Sequence, residues 1–147
     1  MSQGSVEYLD HMTDAYLRIR GSNLEEAFEY AGKGLVGTMY ELEGIETNKQ
    51  VLITAGGKDL ENLLFDWLDK ILLIVLIDRI IMSEFKVKII HDDKTGHYAI
   101  HGYGKGEQIN QDRHELKVEI KGITYHEMKI LDNKDKGEVI LEYIVDL

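Results

Sequence analysis

Two aspartates near opposite extremes of the chain, Asp14 and Asp146, offer the clearest chemistry in this sequence. Asp14 ends the polar turn Asp10-His11-Met12-Thr13-Asp14, between two short runs with strand-like alternation. Asp146 follows the apolar run Tyr143-Ile144-Val145 and precedes Leu147. If that run docks as a strand, it carries the Asp146 carboxylate and the terminal carboxylate of Leu147 to one fixed point. Two or three oxygens held together bind a hard cation such as Ca²⁺ and leave places for water. Without a cation the like charges repel. The competing reading is a frayed, solvated C-terminus.

Other residue types support less. Cysteine is absent, which excludes disulfides, thiolate metal sites and cysteine nucleophiles. Six histidines are present: His11, His91, His97, His101, His114 and His126. His97 and His101 are four apart, but in a strand pattern, so they are not the adjacent pair of a helical zinc site. Surface or hydrogen-bonded structural roles are the expectation for all six. Gly102-Tyr103-Gly104-Lys105-Gly106 resembles a phosphate loop but opens no helix and lacks the Gly-Lys-Ser/Thr ending, so a glycine-rich bulge or strand end is expected. Asp132 to Gly137 has the glycine of a calcium loop, yet lysines replace the oxygen ligands and Tyr143 stands where the bidentate glutamate belongs; it reads as a hairpin turn. Metal-assisted hydrolysis by Asp14, Asp146 and His11 is chemically possible, but no base or cleft is visible.

The elements that must position Asp14 and Asp146 follow from periodicity. Val6–Asp10 and Ala15–Arg20 read as strands flanking the turn. Ser22 and Glu25 match a capping box, and Leu24, Ala27, Phe28, Ala31, Leu35 and Met39 follow at helical spacing. Gly32, Gly34 and Gly37 weaken that helix, and their small size would permit close packing on a sheet. Residues 50–54 read as a strand. Asp59 is the expected cap of a second helix, with Leu60, Leu63, Leu64, Trp67, Leu68, Ile71, Leu72 and Val75 on one face. From Ile80 the pattern becomes β, with strands expected near 85–89, 98–103, 116–120, 124–131 and 139–145 and turns at 92–96 and 132–137. Two helices among about seven strands predict a single α+β domain, residues 1–147, with helices covering one side of a mostly antiparallel sheet.

The chain has 27 acidic and 17 basic residues, a formal charge of -10. Such a field disfavours stable direct binding to nucleic acid and favours cations and basic partners; solubility alone would also account for it. The start has no basic region or long apolar run, and the apolar stretch 63–82 is interrupted by Asp66, Asp69, Lys70, Asp78 and Arg79. Neither a secretory signal nor a membrane span is expected, and a cytoplasmic location fits.

Five segments, taken in order, resemble the archease family over almost the whole chain. They are His11-Met12-Thr13-Asp14, close to the family's His-Thr-Ala-Asp; residues 21–28, Gly-Ser-Asn-Leu-Glu-Glu-Ala-Phe; residues 59–68, beginning Asp59-Leu60-Glu61 and ending Asp66-Trp67-Leu68; residues 113–126, from Arg113-His114 to Thr124-Tyr125-His126; and the ending Ile144-Val145-Asp146-Leu147. The resemblance implies an α+β fold and a protein that stimulates the guanylate-dependent, RtcB-type tRNA ligase in tRNA splicing, promoting its guanylylation and multiple turnover, with no catalysis of its own. A general chaperone or modulator of nucleic-acid-processing enzymes is the alternative. The resemblance also implies a Ca²⁺ site formed by Asp14, Asp146 and Leu147, the last through a backbone or terminal oxygen. This choice coincides with the positions singled out by their oxygen donors. Met12-Thr13 replaces the usual Thr-Ala and leaves the Asp14 carboxylate available. Glu41, after Met39-Tyr40, stands near where many members carry an aspartate and is an expected outer ligand.

Overall fold

The computed structural model describes residues 4–9 and 13–147. Asp10, His11 and Met12 of the expected turn lie outside the described residues. Seven strands and two helices run in the order β1 (Ser5–Leu9), β2 (Asp14–Gly21), α1 (Leu24–Met39), β3 (Lys49–Gly57), α2 (Leu60–Leu73), β4 (Ile80–His91), β5 (Tyr98–Gln108), β6 (Gly122–Asn133) and β7 (Glu138–Asp146). The α+β expectation holds, with one difference. The strands form two antiparallel sheets, β1-β2-β7-β6 and β3-β5-β4, not one. Each helix packs against both: α1 against β2 and β4, α2 against β3 and β6. The helices therefore have apolar neighbours on two sides, and the core closes around them.

Helix α1 starts where the sequence offers two overlapping caps. Asn23, not Ser22, is the N-cap and accepts a hydrogen bond from Glu26 N at 2.8 Å. Glu26 in turn accepts from Ser22 N at 2.9 Å. The cap thus sits one residue later than the spacing of Ser22 and Glu25 predicts, satisfying the same orphan donors. Gly34 lies against Leu17 and Ile19 of β2, where a Cβ would stand 2.9 Å from a Leu17 methyl carbon, so helix and sheet pack closely there and a larger residue would have to displace Leu17. Asp59 caps α2 as expected, accepting from Asn62 N at 2.8 Å. That helix ends in a π-helical turn, Ile74–Asp78, and Arg79 turns the chain with φ +60°.

Two buried polar groups tie the layers together. Trp67 Nε1 donates to the Phe28 carbonyl at 2.9 Å, and the Tyr143 hydroxyl donates to the Ala31 carbonyl at 2.8 Å. Both side chains are fully buried, so leaving either donor unpaired would cost about 1–3 kcal/mol. The free edge of β4 is also satisfied from α1. Val87 N donates to Glu29 at 2.9 Å and Ile89 N donates to Glu25 at 3.0 Å. Burial pushes the Glu29 carboxyl up from its ordinary value, against the opposing pull of the Val87 N–H.

Two expected features take a different form. Leu116, Val118 and Ile120 alternate as a strand would, but residues 114–121 belong to no sheet. This segment is extended and anchored at points, through Lys117 N to the Met39 carbonyl and Lys121 N to the Asp146 carbonyl, both at 2.7 Å. Ile120 is buried and Leu116 exposed, so the alternation records contact with the body on one side without a ladder. Gly102, Gly104 and Gly106 are neither a bulge nor a strand end. They lie inside β5, paired on both sides, and the irregularity falls on the neighbouring strand between Met82 and Glu84. Both hairpin turns stand where expected, with Gly96 and Gly137 at positive φ.

Candidate functional site

The final strand is an interior strand of its sheet, hydrogen-bonded to β2 on one side and β6 on the other. Its alternation explains the placement. Val139, Leu141, Tyr143 and Val145 enter the core, and Ile140, Glu142, Ile144 and Asp146 occupy the opposite face. Strand β2 pairs with it in a register that places Asp14 opposite Asp146. The same Asp146 stands opposite Gly122 of β6, and its carbonyl accepts from Lys121 N. Leu147 is half-buried and packs on the core. A docked tail, not a frayed one, is what the structure contains.

Two carboxylates thus face each other across one strand pair, 132 positions apart in sequence (146 minus 14). Their donors are hard oxygens, and Leu147 follows Asp146 directly in the chain. That donor set suits a hard cation with open positions for water. Among the described residues, no group of three or more histidine, aspartate or glutamate side chains converges as a metal cage. Glu41 does not join the pair. Its Oε1 accepts from Glu43 N at 3.2 Å, and it lies with Tyr8 and Tyr40 along a cleft beyond the end of α1. His11 lies outside the described residues.

On the same face, a network of charges continues from the aspartates along both strands. The Tyr16 hydroxyl donates to Glu142 Oε1 at 2.6 Å, and Arg18 Nε donates to Glu142 Oε2 at 2.7 Å. Arg20 Nε donates to Glu7 at 3.2 Å and its other end lies 3.5 Å from Glu138. The Tyr16 hydrogen bond and the Arg18 charge hold the Glu142 carboxyl below its ordinary value despite burial. The same hydrogen bond, with burial, raises the Tyr16 phenol to about 12. Sequence reading missed this network. Its signal was Glu142 inside an otherwise apolar run, together with Tyr16, Arg18 and Arg20 at alternate positions.

A second buried carboxylate, Glu107, lies near the end of β5. It accepts from Glu46 N at 2.9 Å and from Arg113 at 2.8 Å, and the first of these chiefly depresses its carboxyl. His114 packs against it with Nε2 3.5 Å away, and His114 Nδ1 accepts from Asn110 N. These contacts fold the loop after β5 onto the body, a structural role for His114. A cleft of 680 Å³ lies elsewhere, where Asn23 and Leu60 at the starts of both helices meet Tyr98 and Lys134. The aspartate pair does not line it.

A family model described as "Archease protein family (MTH1598/TM1083)" matches residues 6–147. The chain belongs to the archease family. Among similar archeases, that of Pyrococcus furiosus is 38% identical over 124 residues, covering 84% of this chain and 86% of the relative. That of Methanopyrus kandleri is 34% identical and covers 96% of this chain and 98% of its own length. The solution structure of Methanobacterium thermoautotrophicum protein 1598 superposes with a TM-score of 0.78 at 32% identity, covering 97% of this chain and 98% of that one. The match spans both ends of the archease fold, so the pairing of Asp14 with Asp146 belongs to the matched region. No helix among the described residues is long and apolar enough to cross a membrane.

Proposed function

We propose that this archease is a calcium-binding activator of the guanylate-dependent, RtcB-type tRNA ligase, acting in tRNA splicing by promoting ligase guanylylation and multiple turnover. It does so as a non-catalytic partner. Family membership supports the choice of ligase. The observation that carries the metal is the register that places Asp14 opposite Asp146. Asp14 and Asp146 would hold Ca²⁺ with a backbone or terminal oxygen of Leu147. The chain's own contribution is preorganisation. The β2–β7 ladder fixes both aspartates, and the Tyr16–Glu142–Arg18 contacts hold the adjoining surface in one arrangement. A surface so fixed binds one conformation of the ligase better than another and shifts the population toward it.

Single-turnover guanylylation of the ligase, with this protein titrated in, tests the reading. Stimulation by the native protein is expected, with loss in Asp14→Ala and Asp146→Ala variants that remain folded by circular dichroism. Folded variants that stimulate normally would remove the metal from the mechanism. No stimulation by the native protein would remove the ligase.

A further inference from the structure

The outward face of the three-stranded sheet reverses the charge of the molecule around it. Strand β5 is central, and its outward positions read His101, Tyr103 and Lys105. The inward positions between them are Gly102 and Gly104, followed by Gly106. A Cβ on Gly102 would stand 2.5 Å from the Lys86 carbonyl, and those on Gly104 and Gly106 would run into Met82 and Ile81. The glycine spacing therefore answers to packing, and the residues between the glycines are released to the surface. In register beside Tyr103 stand Leu52 of β3 and Lys86 of β4; beside His101 stand Thr54 and Lys88. Leu52 is 79% exposed, and both lysines are exposed. The one acidic side chain in these rows is Glu84, opposite Lys105. In a chain of charge -10, this face carries Lys86, Lys88 and Lys105 against Glu84. None of the three lysines is in an ion pair among the described residues, though Lys86 lies near Glu29 at the sheet edge.

We propose that this face docks single-stranded RNA. A ring on the outward side of the central strand, flanked by an exposed leucine, is a platform on which an unpaired base stacks. Lys105 Nζ lies over the Tyr103 ring, 5.6 Å from its centroid, a cation that a phosphate would draw off the ring face as the base stacks there. Lys86 and Lys88 are two residues apart on one strand, about 6.7 Å, with the Glu29 and Glu25 carboxylates that accept from Val87 N and Ile89 N at the strand's edge beside them. Thr54 and His101, facing each other in register, offer hydrogen-bonding groups of the kind that meet a 2′-hydroxyl. A duplex buries its base faces and gives the ring nothing to stack on. An acidic peptide would use the lysines and leave the ring idle. The average charge of the chain predicts no such contact; its distribution does.

The test needs no ligase, so its failure leaves the guanylylation experiment untouched. Fluorescence polarisation of a labelled RNA of about 15 nucleotides, without secondary structure, is read at low and physiological salt. Binding that weakens with salt is expected. The Lys86→Glu/Lys88→Glu variant should lose about tenfold or more in affinity, and Tyr103→Ala about fivefold. The Lys134→Glu/Lys136→Glu variant makes the same change in net charge on the exposed β6–β7 turn of the other sheet and should stay within about twofold. Four results overturn the proposal: no binding at about 100 µM protein; equal losses in the two double variants; Tyr103→Ala without effect; or equal affinity for single-stranded DNA or poly-glutamate.

Discussion

The outward faces of the two sheets share the same antiparallel geometry but handle their charges in opposite ways. On the β2–β7 face, Arg18 and Arg20 are engaged by Glu7, Glu138 and Glu142, and Tyr16 lies over Glu142. On the β4–β5 face, Lys86 and Lys88 point into solvent beside an aromatic ring. A face whose charges bond one another is a fixed support, and here it carries the aspartate pair. A face whose lysines form no ion pairs among the described residues keeps them available for a ligand.

That contrast can be broken at several strengths. The largest effect is expected at the aspartates. Ca²⁺ at about a hundredfold over its dissociation constant should stabilise the native protein by about 2.7 kcal/mol. Thermal unfolding with and without the ion reads this shift, and Asp146→Asn should abolish it; an equal shift in both proteins removes Asp146 from the site. Next comes Glu142→Ala, which leaves Tyr16 and Arg18 without their shared acceptor. Because those partners are partly exposed, a loss of about 1–2 kcal/mol in urea unfolding is expected. Tyr16→Phe keeps the Arg18 contact and should cost about 1 kcal/mol. Smallest is Lys86→Glu/Lys88→Glu, which should change stability by less than about 0.5 kcal/mol. A larger loss would show that this face is structural after all.

Acid separates the faces in another way. The folded Glu142 and Glu107 carboxyls lie below their ordinary values. The stability they add is full above the unfolded-chain value of about 4.3 and is lost as pH falls through the folded values. Glu29, shifted upward, works against this trend: its protonation at low pH relieves a burial cost. Urea unfolding between neutral and acidic pH should therefore show a net loss at the acid end that is shallower in Glu142→Gln. An identical acid limb in that variant would assign the loss to other groups.

The sequence made the strands and helices legible wherever burial and periodicity coincide, as in α2 and β7. Around Ser22-Asn23-Leu24-Glu25-Glu26, two caps fit one residue apart, and side-chain type alone does not choose between them; the structure uses the later one. At 116–120, alternation revealed which side chains turn inward but not the absence of a hydrogen-bonding neighbour, since backbone pairing leaves no mark on side-chain type. Division into two sheets was hidden for the same reason. Asp14 and Asp146 were legible as oxygen donors, yet their meeting depends on a ladder between distant segments. Glu142 was visible only as an oddity, because a buried carboxylate declares its partners in three dimensions.

The central place of β7 bears on how the protein is made. Strands β2 and β6 have no common neighbour until β7 arrives between them, and pairings this remote along the chain assemble slowly. During synthesis, everything through β6 must leave the ribosome first and wait with two bare edges, a state prone to aggregation. A premature stop that removes only β7 would cost far more than nine residues, for it would withdraw the middle of the sheet and strand both flanks.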